Sequence, residues 1–287
     1  MRKERWRCRT SNTLGALEGT PEEAWGVDAY SNDETPAVFF GLYGLPDFYD
    51  LWRHEGRKAI LWCGSDILNF VRGYWLDFQG NIKLCPKGMA KWIMKNCESW
   101  VENEVERRTL NSLGIESKVC PSFLGNTEDF PVSFVPLARP RIYTSVSGNN
   151  FKMYGWDTIE RIADKCNADF FLYGSDDYRS IHPNVAVRGR IVAKQMNVET
   201  REMQSGLRLT KEMDGFSEIT AKSILWGQYP IVRREFSYPY LDSFSNDEEL
   251  IDLINSLGKR REPNPAREYY KNLLNDYPWN SKLHTEH

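Results

Sequence analysis

The chain has 287 residues, 41% of them hydrophobic and 13% aromatic, which is enough for two cores of ordinary domain size. Its formal net charge of −3 argues against a surface built throughout to grip nucleic acid by its phosphates, while leaving room for a local basic strip. None of the six cysteines (Cys8, Cys63, Cys85, Cys97, Cys120, Cys166) forms a CxxC pair or lies near a histidine cluster, so no zinc site is expected and the thiols read as reduced.

Residues 1–36 are polar and irregular and read as an N-terminal arm. They lack the apolar core of a secretory leader, and no stretch of the chain approaches the ~20 apolar residues of a membrane span, so a cytoplasmic location is expected. Residues 37–42 are a short apolar run of the kind that forms a buried parallel strand, closed by Gly41 and Gly44. Pro46 opens a helix over 47–54 with Phe48, Leu51 and Trp52 on one face, and Gly56 stops it. A second strand over 58–63 ends at Gly64, and Ser65 or Asp66 is placed to cap the next helix. Helices are predicted over 87–95 and 102–113, and strands over 97–101 and 117–122. Alternation of this kind means parallel strands joined by crossover helices.

Residues 124–140 carry three prolines and no periodicity, and are predicted to be a linker. A second alternating series follows, with strands at 142–146, 169–173, 185–187, 207–210 and 230–233 and helices at 157–166, 192–203, 217–226, 247–257 and 266–274. The expected architecture is α/β, with two doubly wound, Rossmann-like domains facing across a cleft. They occupy 37–123 and 141–260, preceded by the arm 1–36, joined by the linker 124–140 and followed by a C-terminal helical segment 261–287. In such sheets ligands bind beyond the carboxyl ends of the strands.

The most specific segment runs from Leu207 to Val232. A strand ends in a polar loop, the turn Asp214-Gly215-Phe216-Ser217 follows, and a helix runs to Gly227 before the next strand. The helix N-terminus near Ser217 presents free N–H groups suited to a diphosphate, and Gly215 lets the backbone come close to a ligand. This segment resembles the donor-binding signature of B-type (GT-B) glycosyltransferases of the group 1, glycogen-synthase-like kind. The resemblance implies a nucleotide-sugar donor, with Asp214 reading sugar hydroxyls and Thr210, Gly215, Phe216 and Ser217 around it. The family usually places a ribose-gripping Glu eight positions after the acidic residue; here that position is Lys222. A lysine does not accept two hydroxyl hydrogen bonds as a carboxylate does, but it can hold a phosphate.

Two further segments support the resemblance. Residues 142–159 look like the first strand and loop of the family's donor domain, with Gly148 and Lys152 as the nearest matches to its diphosphate contacts and Asn149 where an Arg is usual. Residues 187–192 resemble the strand and loop that flank the nucleotide base, which assigns Gly189 close approach and Arg190 and Ile191 backbone contacts to the base edge. Arg208, at the end of its strand, is suited to neutralising a departing diphosphate. In the first half, Gly41, Tyr43, Gly44, Trp62, Ser65 and Asp66 resemble acceptor-domain loops. Asp66 is a candidate base on an acceptor hydroxyl as well as a helix cap, and Glu102 or Asn103 matches another family loop.

The resemblance spans most of 37–257 and is specific over 185–232. It implies a hexosyltransferase-like enzyme acting on a nucleotide sugar and an acceptor that is a glycan, a lipid-linked sugar, a small molecule or DNA. Lys152, Arg208, Asp66 and Asp214 are the catalytic candidates. No cofactor and no metal are expected, because enzymes of this type stabilise the diphosphate with helix dipoles and basic residues. The alternatives are a non-catalytic nucleotide-sugar-binding protein, a DNA-modifying glucosyltransferase and a sugar-nucleotide epimerase, all of the same fold.

Overall fold

The computed structural model describes residues 6–14, 29–31, 34–73, 86–123 and 125–275. The chain divides into two compact units. The first comprises 1–125 together with 213–216 and 274–287, and the second 126–212 and 217–273.

The first unit is built on a parallel sheet of β1 (Arg7–Thr10), β2 (Ala37–Phe40), β3 (Lys58–Leu61), β4 (Cys97–Val101) and β5 (Lys118–Val119), ordered as they occur in the chain. Its described helices are α1 (Leu45–Arg53), α2 (Ser65–Arg72), α3 (Pro86–Asn96) and α4 (Glu104–Asn111). β2 reads as a continuous apolar run because both of its faces are covered: Ala37, Val38 and Phe39 have no exposed surface. The helices lay Phe48, Leu51, Ile67, Phe70, Met89 and Ile93 on a core shared with Phe39, Ile60 and Trp62.

The arm expected at 1–36 contains β1, which pairs in parallel with β2. Arg-Cys-Arg-Thr hides this strand from a hydropathy reading, since Cys8 alone is apolar and fully buried. Arg9 is satisfied by groups distant in sequence, with its guanidinium 2.7 Å from both Asp47 and Asp50 on α1. The helix expected from 102 begins at Glu104, because the Asn103 side chain accepts from the Val105 and Glu106 amides at 3.0 Å and caps it. Glu102 is thereby left outside the helix.

The second unit holds β6 (Arg141–Ser145), β7 (Asp169–Tyr173), β8 (Val185–Gly189), β9 (Ser205–Arg208), β10 (Ile231–Arg233) and β11 (Asp242–Phe244), all parallel. Their order is β11-β10-β9-β6-β7-β8. The chain winds outward from β6 to β8, returns to set β9 against the free side of β6, and winds outward again. Helices α5 (Trp156–Ile162), α6 (Ala193–Thr200), α7 (Glu218–Leu225), α8 (Asp247–Leu257) and α9 (Arg267–Asn275) accompany it. Trp156, Ile159, Leu207, Ile231, Leu250 and Ile254 form the centre of its core. The short strand β11 carries one buried residue, Phe244, and gave no signal in the sequence. Residues 126–140 contain a 3-10 turn, Thr127–Asp129, and the Ser133 and Phe134 amides donate to Trp226 O at 3.0 and 3.2 Å. Among the described residues no helix is long and apolar enough to cross a membrane.

Candidate functional site

In the second unit, strand order reverses between β6 and β9. The chain leaves β6 toward β7 and β9 toward β10, on opposite sides, and doubly wound sheets bind their ligands beyond the carboxyl ends of the strands at such a reversal. The loop leaving β6 carries Gly148, with φ +60°, and the exposed Lys152. This loop is stitched to the segment leaving β9: the Lys211 amide donates to Met153 O at 3.2 Å. At Gly155, φ is +73° and an added Cβ would stand 2.6 Å from Leu209 O, so glycine is required by both conformation and space. Arg208, at the end of β9, lays its guanidinium over the Tyr154 ring at 4.9 Å. Thr210 is buried, and its hydroxyl has no hydrogen-bond partner among the described residues. The reversal thus places Gly148 and Lys152 in the loop leaving β6, and Arg208 and Thr210 at the end of β9 and just after it, in segments that are bonded to each other.

The Ser217 hydroxyl accepts from the Thr220 amide at 3.2 Å and caps α7. Lys222 lies one turn into that helix, 3.8 Å from the Glu218 carboxylate. Gly189, Arg190 and Ile191 lie at the end of β8, the outermost strand on their side and two strands from β6. They are held by a residue the sequence did not single out: the Arg190 amide donates to Asp176 Oδ1 at 3.2 Å, and a Cβ at Gly189 would collide with the same carboxylate.

In the first unit the loops leaving β3 and β4 meet the turn 213–216. A Cβ on Gly64 would lie 3.1 Å from the Gly215 amide nitrogen, and the Asn103 side chain donates to Asp214 O at 2.6 Å. Glu102 accepts from the Phe216 amide at 3.0 Å on Oε2, and from the Ser122 amide at 3.1 Å and the Ser122 hydroxyl on Oε1. Glu106 Oε2 accepts from the Glu102 amide at 2.6 Å, while its buried Oε1 has no partner among the described residues. Asp66, Glu102, Glu106 and Asp214 are all buried. Burial pushes the Glu102 carboxyl up to about 8 against the opposing pull of Ser122, and nearby Asp214 pushes the same way. Burial and the Glu102 charge likewise raise Glu106.

The remaining sequence candidates fall around this cluster. Asp66 accepts from the Leu42, Cys63 and Ile67 amides at 3.0, 3.0 and 2.8 Å, so its carboxylate ties the loops after β2 and β3 together. Burial raises it to about 6 against the pull of those amides. Trp62 has no exposed surface and directs its indole N–H to Ser99 Oγ at 3.5 Å, which makes it a core residue of the sheet. The Tyr43 hydroxyl donates to Cys63 O at 3.3 Å, Gly41 packs beside the Tyr43 ring with φ +76°, Gly44 begins α1, and Ser65 is exposed at the start of α2. Phe216 is buried. Gly215 is not among the glycines with positive φ; it is required because a Cβ would run into the Glu102 carboxylate. Glu106 and Ser122 went unmarked in the sequence, where a Glu on a helix carrying Glu104, Arg107 and Arg108 reads as part of a solvated face. Among the described residues no group of three or more His, Cys, Asp or Glu side chains is arranged to hold a metal ion.

No protein-family model matches the chain, and no curated protein matches it significantly. Solved structures do. A variant of S. aureus TarM in complex with fondaparinux, α-GlcNAc-glycerol and UDP aligns with a TM-score of 0.58 at 11% identity over 93% of this chain. Anabaena HepE in complex with UDP aligns with a TM-score of 0.55 at 8% identity, covering 95% of each chain. The lipopolysaccharide outer core galactosyltransferase WaaB aligns with a TM-score of 0.51 at 9% identity over 86% of this chain and 75% of its own. The chain spans 58% of the TarM variant's length. At these identities the likeness is one of backbone path, and it agrees with the two parallel sheets and the reversal between β6 and β9. The chain has the GT-B fold, the fold of the B-type glycosyltransferases.

Proposed function

We propose that the chain is a glycosyltransferase that moves a sugar from a nucleoside diphosphate donor to an acceptor hydroxyl. The observation that carries this reading is the strand-order reversal of the second unit, which gathers Gly148, Lys152, Arg208 and Thr210 where parallel sheets bind their ligands. In the reaction the acceptor oxygen bonds the anomeric carbon, the bond from that carbon to the diphosphate oxygen breaks, the diphosphate leaves with the electron pair, and the acceptor hydroxyl's proton passes to the departing diphosphate. Lys152, Arg208 and the N-terminus of α7 oppose the charge that develops on it. Asp214 accepts from hydroxyls of the donor sugar, and Thr210 offers an unused hydroxyl beside it in sequence. Asp66 is not assigned the base, since three amides already hold its carboxylate. No step uses a metal, and activity should survive EDTA.

HepE is described with UDP, with UDP-glucose and with UDP and glucose, which makes UDP sugars the first donors to test. Calorimetry against a panel of nucleotide sugars should find one that saturates. Asp214→Asn should keep the fold and raise the barrier to transfer by about 1–3 kcal/mol, read as kcat/KM, because a charged acceptor of hydrogen bonds is replaced by a neutral one. No binding across the panel would overturn the reading. A second reading, a nucleotide-sugar-binding protein without turnover, is favoured by Lys222 standing beside Glu218 where the resemblance expects a Glu. Donor binding with no transfer or hydrolysis would select it.

A further inference from the structure

Four residues of the chain's second half, 213–216, belong to the first unit. Their backbone is fastened there at three points: Asp214 O to Asn103, the Phe216 amide to Glu102, and Gly215 against Gly64. Asn103 is already committed to capping α4 with its Oδ1, so its Nδ2 is held in a fixed direction. Gly64 makes a van der Waals contact without direction. Glu102 is different. It lies in the bend between β4 and α4, and its two carboxyl oxygens face opposite ways, one to Phe216 and one to the amide and hydroxyl of Ser122, three residues after β5. Its own amide is fixed by Glu106 at 2.6 Å.

We infer that Glu102 is the positioning residue of the Asp214-Gly215-Phe216 turn: its buried carboxyl braces the turn against Ser122 and so sets the direction in which Asp214 presents its side chain to the donor. The functional half of this inference rests on the glycosyltransferase reading; the bracing itself does not. Three further observations fit it. The carboxyl occupies the space a Cβ at position 215 would take, so the brace and the glycine require each other. Burial raises the Glu102 pKa, which favours the protonated carboxyl and lessens the charge set next to Asp214. A protonated carboxyl still offers an acceptor to the Phe216 amide and has an O–H to give to the Ser122 hydroxyl, so both sides of the brace hold in that form.

Hydrogen exchange of the peptide spanning 209–222, together with UDP-glucose binding by calorimetry, tests the inference on the full chain, with the amides of β2 and β3 as an internal reference for global opening. Glu102→Ala should speed exchange of the turn and weaken UDP-glucose by about tenfold each, as expected for the loss of a buried hydrogen bond. Glu102→Gln should restore about half of both, because the amide keeps an acceptor for Phe216 and a donor for the Ser122 hydroxyl but leaves the Ser122 amide without its acceptor. Ser122→Ala, which removes the hydroxyl but keeps the Ser122 amide on Glu102 Oε1, should give about a twofold to threefold effect in the same direction; it and Glu102→Gln decide the matter if Glu102→Ala does not fold. Unchanged exchange of the turn in these variants overturns the brace. Faster exchange with unchanged donor affinity overturns its functional half. If the wild-type protein binds no nucleotide sugar in the wider panel, it is the glycosyltransferase reading that fails, and the brace still stands or falls on exchange alone.

Discussion

The two units use the same kind of sheet to different ends. Both are wholly parallel and both carry their polar residues beyond the carboxyl ends of the strands. In the first, the described strands follow chain order, and the ends of β2, β3 and β4 are capped by buried carboxylates whose oxygens are spent on backbone amides. In the second, the order reverses, and the ends of β6 and β9 carry Lys152, which is exposed, and Arg208, which is half-buried. A buried acid is costly unless it is bonded or neutral, so the first arrangement fixes backbone in place. Cations within reach of solvent carry no such cost. What separates the two units is therefore the winding of the chain and the burial of its polar groups, more than their composition.

That contrast breaks if Trp62 serves a ligand. As a wholly buried core residue, Trp62→Ala should destabilise the first unit by about 3–5 kcal/mol in denaturant unfolding. Donor affinity, measured where the variant is folded, should change little. Normal stability with lost turnover would return Trp62 to the acceptor side.

A pH series sharpens the contrast. Glu102 is raised from its ordinary 4.5 to about 8, and Asp66 from 3.8 to about 6, both chiefly by burial. Asp214, Glu106, Tyr43 and Cys63 all face the Glu102 charge, and Asp66 faces that of Glu106. Groups whose folded pKa is raised bind more protons in the folded state, so their stabilisation is complete at acid pH and fades as pH rises through the folded values. The Tm should fall between pH 5 and about 8, and Glu102→Gln should flatten the upper part of that slope. A Tm that climbs over this interval would contradict the burial of the cluster. The second unit's Asp157 and Glu199 are lowered, the latter chiefly by Arg188, so their stabilisation is present at neutral pH and is lost only as pH falls into the acid range.

The smallest effect is expected at Lys222. Lys222→Glu replaces an i,i+4 ion pair with two like charges on α7 and should cost about 0.5 kcal/mol in thermal unfolding. Donor affinity should drop as well, because a second negative charge is added near the diphosphate. A tighter donor would show that the position reads ribose.

Much of this organisation was legible in the sequence. The apolar runs of β2, β3 and β7 and the amphipathic faces of α1 and α8 follow from local pattern, and the Pro46 and Gly56 punctuation placed α1 to within two residues. β1 and β11 were not legible, because each has a single buried apolar residue and is held by its neighbour strand. Within the candidate site, Gly148, Lys152, Arg208 and Thr210 lie in the loops of β6 and β9 as their motif order implied. Glu106, Ser122 and Asp176 were hidden because their roles lie in buried bonds to the Glu102 amide, the Glu102 carboxylate and the Arg190 amide, which no local pattern in a single chain marks. Asp66 was marked as a candidate base or helix cap at a strand end, but its carboxylate holds amides of two loops that only the fold brings together.

The assignment of 213–216 to the first unit bears on recombination. A chimera joining residues 1–125 of this chain to the second half of a relative would import a foreign turn opposite Glu102, Asn103 and Gly64. Such a graft is compatible only where the incoming turn has glycine at the position of Gly215 and a free amide at that of Phe216. The turn is therefore not a cassette that can be exchanged at the boundary; the turn and Glu102 must be inherited together.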